Sequence, residues 1–198
     1  DADLLVSAQT GSGKTVAFGL ALAHTLLADK DRFEQARDPL ALIIAPTREL
    51  ADQINQSIQD LSRHFPCKTA TIYGGVGMVP QIQKLKRGVD IIVACPGRLL
   101  DHIRRRTVDL RGLEMLVLDE ADHMLDLGFI KDIRDMMKHL PRKRQTLFLP
   151  ATINENIKKL AYSLVNSSAI RIQVSPKDPV AKNITHSVAF VAMDDKRF

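Results

Sequence analysis

The sequence predicts an α/β domain with a mostly parallel central sheet and helices on both faces. Three observations lead there. Short aliphatic runs recur seven times along the 198 residues. Several of these runs are nearly continuous in apolar residues instead of alternating, as expected of strands covered on both faces. Amphipathic segments separate them, and strand alternating with helix requires right-handed crossovers between parallel strands.

In chain order, "DLLVSA" (3–8) is the first strand, followed by the glycine loop "AQTGSGKT" (8–15) and the helical "VAFGLALAHTLL" (16–27). "LALIIAP" (40–46) is the second strand. After it Leu50, Ile54, Ile58, Leu61 and Phe65 recur at steps of four, four, three and four, one face of a helix. "KTATIYG" (68–74), "DIIVAC" (90–95) and "EMLVLDE" (114–120) are the next three strands. Ile130, Ile133, Met137 and Leu140 repeat the helical geometry before "QTLFLPA" (145–151) and "AIRIQV" (169–174). The tail "SPKDPVAKNITHSVAFVAMDDKRF" changes character, with two prolines and an isolated strand-like "HSVAFVA". The reading is one domain over residues 1–198, a core to about residue 175 and an exit segment over about 176–198.

A chain this long buries one substantial core, and 45% hydrophobic residues is ordinary for it. No apolar run approaches the roughly 20 residues that span a bilayer, and no secretion signal opens the chain. The start "DADLLVSA" reads as the edge of an excised fragment. Cys67 and Cys95 read as buried free thiols of a reducing cytoplasm, and the six His show no metal spacing. The net charge of +5 permits a polyanionic partner. The clusters Arg104–Arg106 and Arg142–Arg144 read as solvated surface. With aromatics at 5%, base stacking does not dominate any nucleic-acid contact, and phosphate contacts stay open.

Strand, glycine loop, Lys-Thr and helix form the P-loop arrangement, here Ala8, Gln9, Thr10, Gly11, Ser12, Gly13, Lys14 and Thr15. The glycines let successive amides point inward as an anion nest, and the helix N-terminus adds its dipole. Lys14 can reach β- and γ-phosphates of ATP, and the Thr15 hydroxyl can ligate Mg²⁺. Ala8 stands where the pattern has glycine, and a small residue still fits. This loop explains why a buried run ends in adjacent carboxylates. Asp119 is placed to hold the metal, and Glu120 to orient and deprotonate the attacking water.

At this point "AQTGSGKT", "APTRELA" (45–51), "GG" (74–75), "CPGRLLD" (95–101), "DEAD" (119–122) and "PAT" (150–152) occur in the order of the DEAD-box RNA helicases, which the chain resembles over essentially its whole length. The resemblance implies the first of that family's two RecA-like domains, ATP and Mg²⁺ as cofactors, and RNA held by its backbone without regard to sequence. It assigns RNA contact to Pro46, Thr47, Arg48, Gly74, Gly75, Pro96, Gly97, Arg98 and Asp101. It assigns coupling of nucleotide state to RNA to Asp122, Pro150, Ala151 and Thr152. It implies a second RecA-like domain as partner, a monomer and a cytoplasmic location.

Three departures qualify it. Cys95 stands where relatives usually carry Thr, removing one hydroxyl from the phosphate grip. Pro150 stands where they carry Ser, with neither hydroxyl nor N–H. Weakened coupling and a tolerated variant both remain open there. The adenine-reading Gln segment and the second domain's arginine fingers lie outside the sequence, and such an arginine is worth on the order of 10³–10⁵ in rate. The fragment alone is therefore expected to be poorly active. A nucleotide-gated RNA clamp without productive unwinding stays as the alternative, and an unrelated P-loop enzyme as a third.

Overall fold

The computed structural model describes residues 2–8, 11–27, 38–63 and 67–174. Gln9, Thr10, Phe65 and the tail over 175–198 lie outside the described residues. Seven strands form one sheet: β1 (Leu4–Ser7), β2 (Ala41–Ile44), β3 (Thr69–Ile72), β4 (Ile91–Ala94), β5 (Met115–Asp119), β6 (Gln145–Leu149) and β7 (Ile170–Gln173). Their order is β3-β4-β2-β5-β6-β1-β7, and every pairing among the described residues is parallel.

Both faces are covered. Helices α1 (Lys14–Leu27) and α2 (Arg48–Leu61) lie on one, α3 (Met78–Lys86), α4 (Pro96–Arg104), α5 (Ala121–Asp126), α6 (Ile130–Met137) and α7 (Glu155–Leu164) on the other. Successive strand residues point to opposite faces. Ile43, Val93, Val117 and Leu147 therefore join Phe18, Leu22, Ile54 and Ile58 under α1 and α2. Their neighbours Leu42, Ile44, Ile92, Leu116, Leu118 and Phe148 join Leu99, Ile133, Ile157 and Leu160 on the other side. Two apolar layers over one sheet account for runs without alternation. Gly19 permits the close approach of α1 to α2, since a Cβ there would sit 2.7 Å from Leu61 Cδ1.

Local chemistry sets several helix starts. Thr47 caps α2 by accepting from Leu50 N at 3.2 Å, and Asn154 caps α7 by accepting from Ile157 N at 2.9 Å. Pro96 opens α4, where a missing N–H costs nothing. Buried Asp3 ties the far edge together, its carboxylate accepting from Thr146 N at 2.6 Å and Asn166 N at 2.7 Å.

One surface expectation fails. Arg144 is half-buried, donates to the Pro141 carbonyl and leaves its Nε buried without a partner, so it braces the turn into β6 instead of facing solvent. Burial holds its guanidinium below the usual value, partly offset by Asp3. Cys67 and Cys95 are free and half-buried, and burial pushes both thiols up to about 11. Among the described residues no helix is long and apolar enough to cross a membrane. Asp3→Ala orphans the buried Thr146 N–H and the part-buried Asn166 N–H and is expected to cost about 2 kcal/mol, measured by urea unfolding.

Candidate nucleotide and nucleic-acid site

In a parallel sheet all carboxyl ends share one edge. Because β6 lies between β1 and β5, the loops after these three strands are neighbours. Those loops are the glycine loop, the 150–152 segment and the acidic pair. Asp119 stands in register with Leu149, the last residue of β6 before Pro150.

In the glycine loop Gly11 and Gly13 adopt φ of +77° and +85°, and a Cβ on either would meet nothing within 4 Å. Glycine is required there by backbone conformation, not by crowding. Lys14, the first residue of α1, donates from Nζ to the Ala8 carbonyl at 2.6 Å, which curls the loop over the end of β1. Thr15 follows at the second helical position. Residues 11–13 thus form a turn with backbone conformations suited to an anion nest.

Asp119 is 3% exposed. Burial pushes its carboxyl up from 3.8 to about 6, against the pull of the Lys14 charge and of Glu120 N–H, which donates to Oδ1 at 3.0 Å. The strand order sets the glycine loop and the acidic pair one strand apart on the same edge. A buried carboxylate restrained this weakly has the donor chemistry a divalent cation takes up. Glu120 has φ 47° and ψ 49°, left-handed for a residue with a side chain, at a cost of about 1 kcal/mol. The turn starts α5 immediately after β5, and the Glu120 carboxylate lies 3.5 Å from His123 Nδ1. Nothing in the sequence pattern pointed to His123.

Asp122 holds the segment after β6. It accepts from Ala151 N at 3.1 Å, Thr152 N at 2.8 Å and Thr152 Oγ1 at 2.7 Å. Burial alone would raise its carboxyl, but these bonds outweigh burial and lower it. Pro150 is buried and takes no part.

The second group of residues lies at the ends of β2, β3 and β4, on the adjoining half of the same edge. Thr47, Arg48, Gly74, Gly75, Cys95 and Phe129 line an open recess of about 390 Å³ with Pro46 beneath. Gly75 has φ +82°, and a Cβ on it would sit 2.5 Å from Arg48 Nη1. Arg98 Nη1 donates to the Val76 carbonyl at 2.9 Å, linking α4 to the glycine turn. Pro96 and Gly97 form the first turn of α4, and exposed Asp101 lies one turn beyond Gly97. Phe129, far away in sequence, carried no signal of its place here. Gln9 and Thr10 lie outside the described residues.

A model of the DEAD/DEAH box helicase family matches residues 1–160. The chain belongs to this family. It is similar to "ATP-dependent RNA helicase RhlB" of Shewanella amazonensis, 37% identical over 98% of this chain and 45% of that protein. It is also similar to "ATP-dependent RNA helicase CshA" of Listeria monocytogenes, 42% identical over 90% of this chain and 33% of that one. Among solved structures, a DEAD box protein from Methanococcus jannaschii matches with TM-score 0.81 and 35% identity, over 88% of this chain and 46% of that one. Yeast splicing factor Prp28 matches with TM-score 0.81 and 33% identity, over 89% and 42%. The chain therefore spans less than half the length of these relatives, and its all-parallel α/β fold is that of DEAD-box structures.

The Asp119 environment has a thermodynamic consequence. A carboxyl whose pKa rises on folding favours the native state most at low pH, and that contribution fades as pH climbs from 3.8 through about 6. Asp119→Asn in this DEAD-box chain is expected to remove that slope. It should raise stability at pH 8 in metal-free buffer by on the order of 3 kcal/mol, measured by denaturant unfolding across pH.

Proposed function

We propose that this chain is the ATP-binding motor domain of an RNA-dependent ATPase, an RNA helicase that uses Mg-ATP to remodel RNA duplexes or RNA–protein complexes. One observation carries the reading: Lys14, Asp119–Glu120 and the Asp122-held 151–152 segment meet at the ends of β1, β5 and β6, beside the recess at the ends of β2, β3 and β4. Nucleotide chemistry and strand grip share one edge.

In this reading the amides over residues 11–15 and the Lys14 ammonium hold the β- and γ-phosphates. Thr15 and Asp119 would hold Mg²⁺, which neutralises charge developing on the phosphates. Glu120 orients the attacking water and accepts its proton. Arg48 and Arg98 pair with RNA phosphates, Gly74, Gly75 and Gly97 let the backbone approach, and Asp101 accepts from a 2′-hydroxyl. Pro46 and Pro96 shape that groove, and Thr47 fixes the α2 terminus beneath it. A second RecA-like domain supplies the arginine fingers and the other half of the groove. We place the complete protein in the cytoplasm as a monomer.

Pro150 favours a second reading. It stands next to the segment gripped by Asp122 and offers neither hydroxyl nor N–H, so a nucleotide-gated RNA clamp with poor unwinding fits it as well. In a chain extended to the relatives' length, Pro150→Ser is expected to raise strands unwound per ATP hydrolysed. An unchanged ratio in a paired unwinding and ATPase assay would dispose of weakened coupling at Pro150. In the chain itself, Lys14→Ala is expected to weaken Mg-nucleotide binding about a hundredfold, as for a lost charged phosphate contact. Calorimetric titration of both forms checks this, and equal affinities would contradict the motor reading.

A further inference from the structure

A buried polar chain runs between the glycine turn and α4, and neither the nucleotide nor the RNA assignment uses it. Gln81 of α3 is 7% exposed and His102 of α4 is 0% exposed. Gln81 Nε2 donates to the Tyr73 carbonyl at 3.0 Å, and its Oε1 lies 3.1 Å from His102 Nε2. His102 Nδ1 lies 2.8 Å from Thr107 Oγ1. The directions follow from the donor inventory. The Gln81 amide N–H is spent on a carbonyl, so Oε1 must accept, and His102 must carry its proton on Nε2. Its bare Nδ1 then accepts from the Thr107 hydroxyl, which also lies 3.1 Å from the His102 carbonyl, and that carbonyl keeps the Thr107 backbone N–H at 3.0 Å as its donor. Burial, aided by the charges of Arg98 and Arg105 and opposed by Asp101, lowers the imidazole pKa and favours this neutral form.

Burying these groups is costly unless every bond is made. Apolar side chains of equal volume would hold α3 against α4 as well or better. They could not fix the Tyr73 carbonyl, the last peptide oxygen before Gly74 and Gly75. The same tyrosine's hydroxyl donates to Asp52 of α2 at 2.9 Å, and Arg98 holds the Val76 carbonyl on the far side of the turn. The turn is thereby bonded to α2, α3 and α4 at once.

Resting on the RNA reading above, we propose that Gln81, oriented by His102, is a positioning residue of the RNA grip. It fixes the direction of the Gly74–Gly75 backbone against Arg48, so that this turn meets a phosphodiester strand already set. The network lies at the β3–β4 end of the sheet, away from the nucleotide loops, so its loss should touch one activity and spare the other.

The test uses Gln81→Glu, which keeps the size but turns an acceptor oxygen toward the Tyr73 carbonyl. The chain and the variant are titrated with a single-stranded oligouridine, followed by the amide resonances of Gly74, Gly75 and Gly97, and separately with Mg-nucleotide. RNA binding about fivefold weaker, the scale of one lost hydrogen bond, with unchanged nucleotide affinity is the expected result. Equal RNA affinity overturns the proposal, and so does an equal fall in nucleotide affinity, which would reduce Gln81 to general packing. If the unsubstituted chain gives no saturable shifts at those glycines, the RNA reading itself fails and takes this one with it. Should the variant not fold, nitrogen correlation spectra of His102 in the unsubstituted chain decide. An Nε2-protonated ring is expected, and an Nδ1-protonated ring overturns the donor chain.

Discussion

All seven described strands run in one direction, and everything else in the molecule follows from that constraint. A parallel ladder cannot close with a tight turn, so each strand must return through a covering segment, and the return loops all open on the same edge. Inserting β6 between β1 and β5 places a glycine loop (8–15), an acidic pair (119–120) and a Pro-Ala-Thr segment (150–152) side by side although the first lies far from the other two in the chain. The opposite half of the edge does the same for the ends of β2, β3 and β4. Two groups of residues become neighbours because parallel strands open their return loops on one edge.

The energetics at that edge cost stability. Asp119 ends a strand buried on both faces and inherits the strand's desolvation, and the nearby ammonium of Lys14 does not fully offset it. Glu120 then leaves the strand through a left-handed turn that no glycine relieves. Costs of this kind persist only where the surrounding structure over-determines them, and here the β5–β6 ladder and the packing of Ala121 and Met124 do so. The same edge carries compensations: Asp122 is satisfied three times over by Ala151 and Thr152.

Much of this was legible in the residues because the relevant signals are local. Each of the seven aliphatic runs contains a strand, and Leu50, Ile54 and Ile58 do line one face of α2. The glycine loop and the acidic pair carry their meaning within a few positions. What stayed hidden depends on pairing across the chain. No residue of β1 announces that β6 will lie beside it. Helix α5 is six residues long, too short to show a period. Arg144 reads as surface until the turn into β6 folds over it. The Gln81–His102 contact joins positions 21 apart, and Phe129 reaches the recess from the start of α6. Such placements follow from topology, which composition and periodicity constrain without choosing.

Pro150 shows how far a single departure propagates through this geometry. A proline directly after the last ladder residue removes a donor where β6 has already ended, so the sheet loses nothing. The bonds that tie the acidic segment to the loop after β6 come from Ala151 and Thr152, one and two residues on, and they survive intact. The fold therefore tolerates the substitution in both senses that stability measures. What it cannot supply is a hydroxyl or an N–H at that position, because proline's ring fixes its φ and offers no polar atom beyond the carbonyl. A connection that is static at Asp122 and mute at Pro150 would transmit strain through backbone position alone. Under the proposed function, coupling would use the short segment from Leu149 to Thr152, whose two ends are fixed by the β5 ladder and by Asp122.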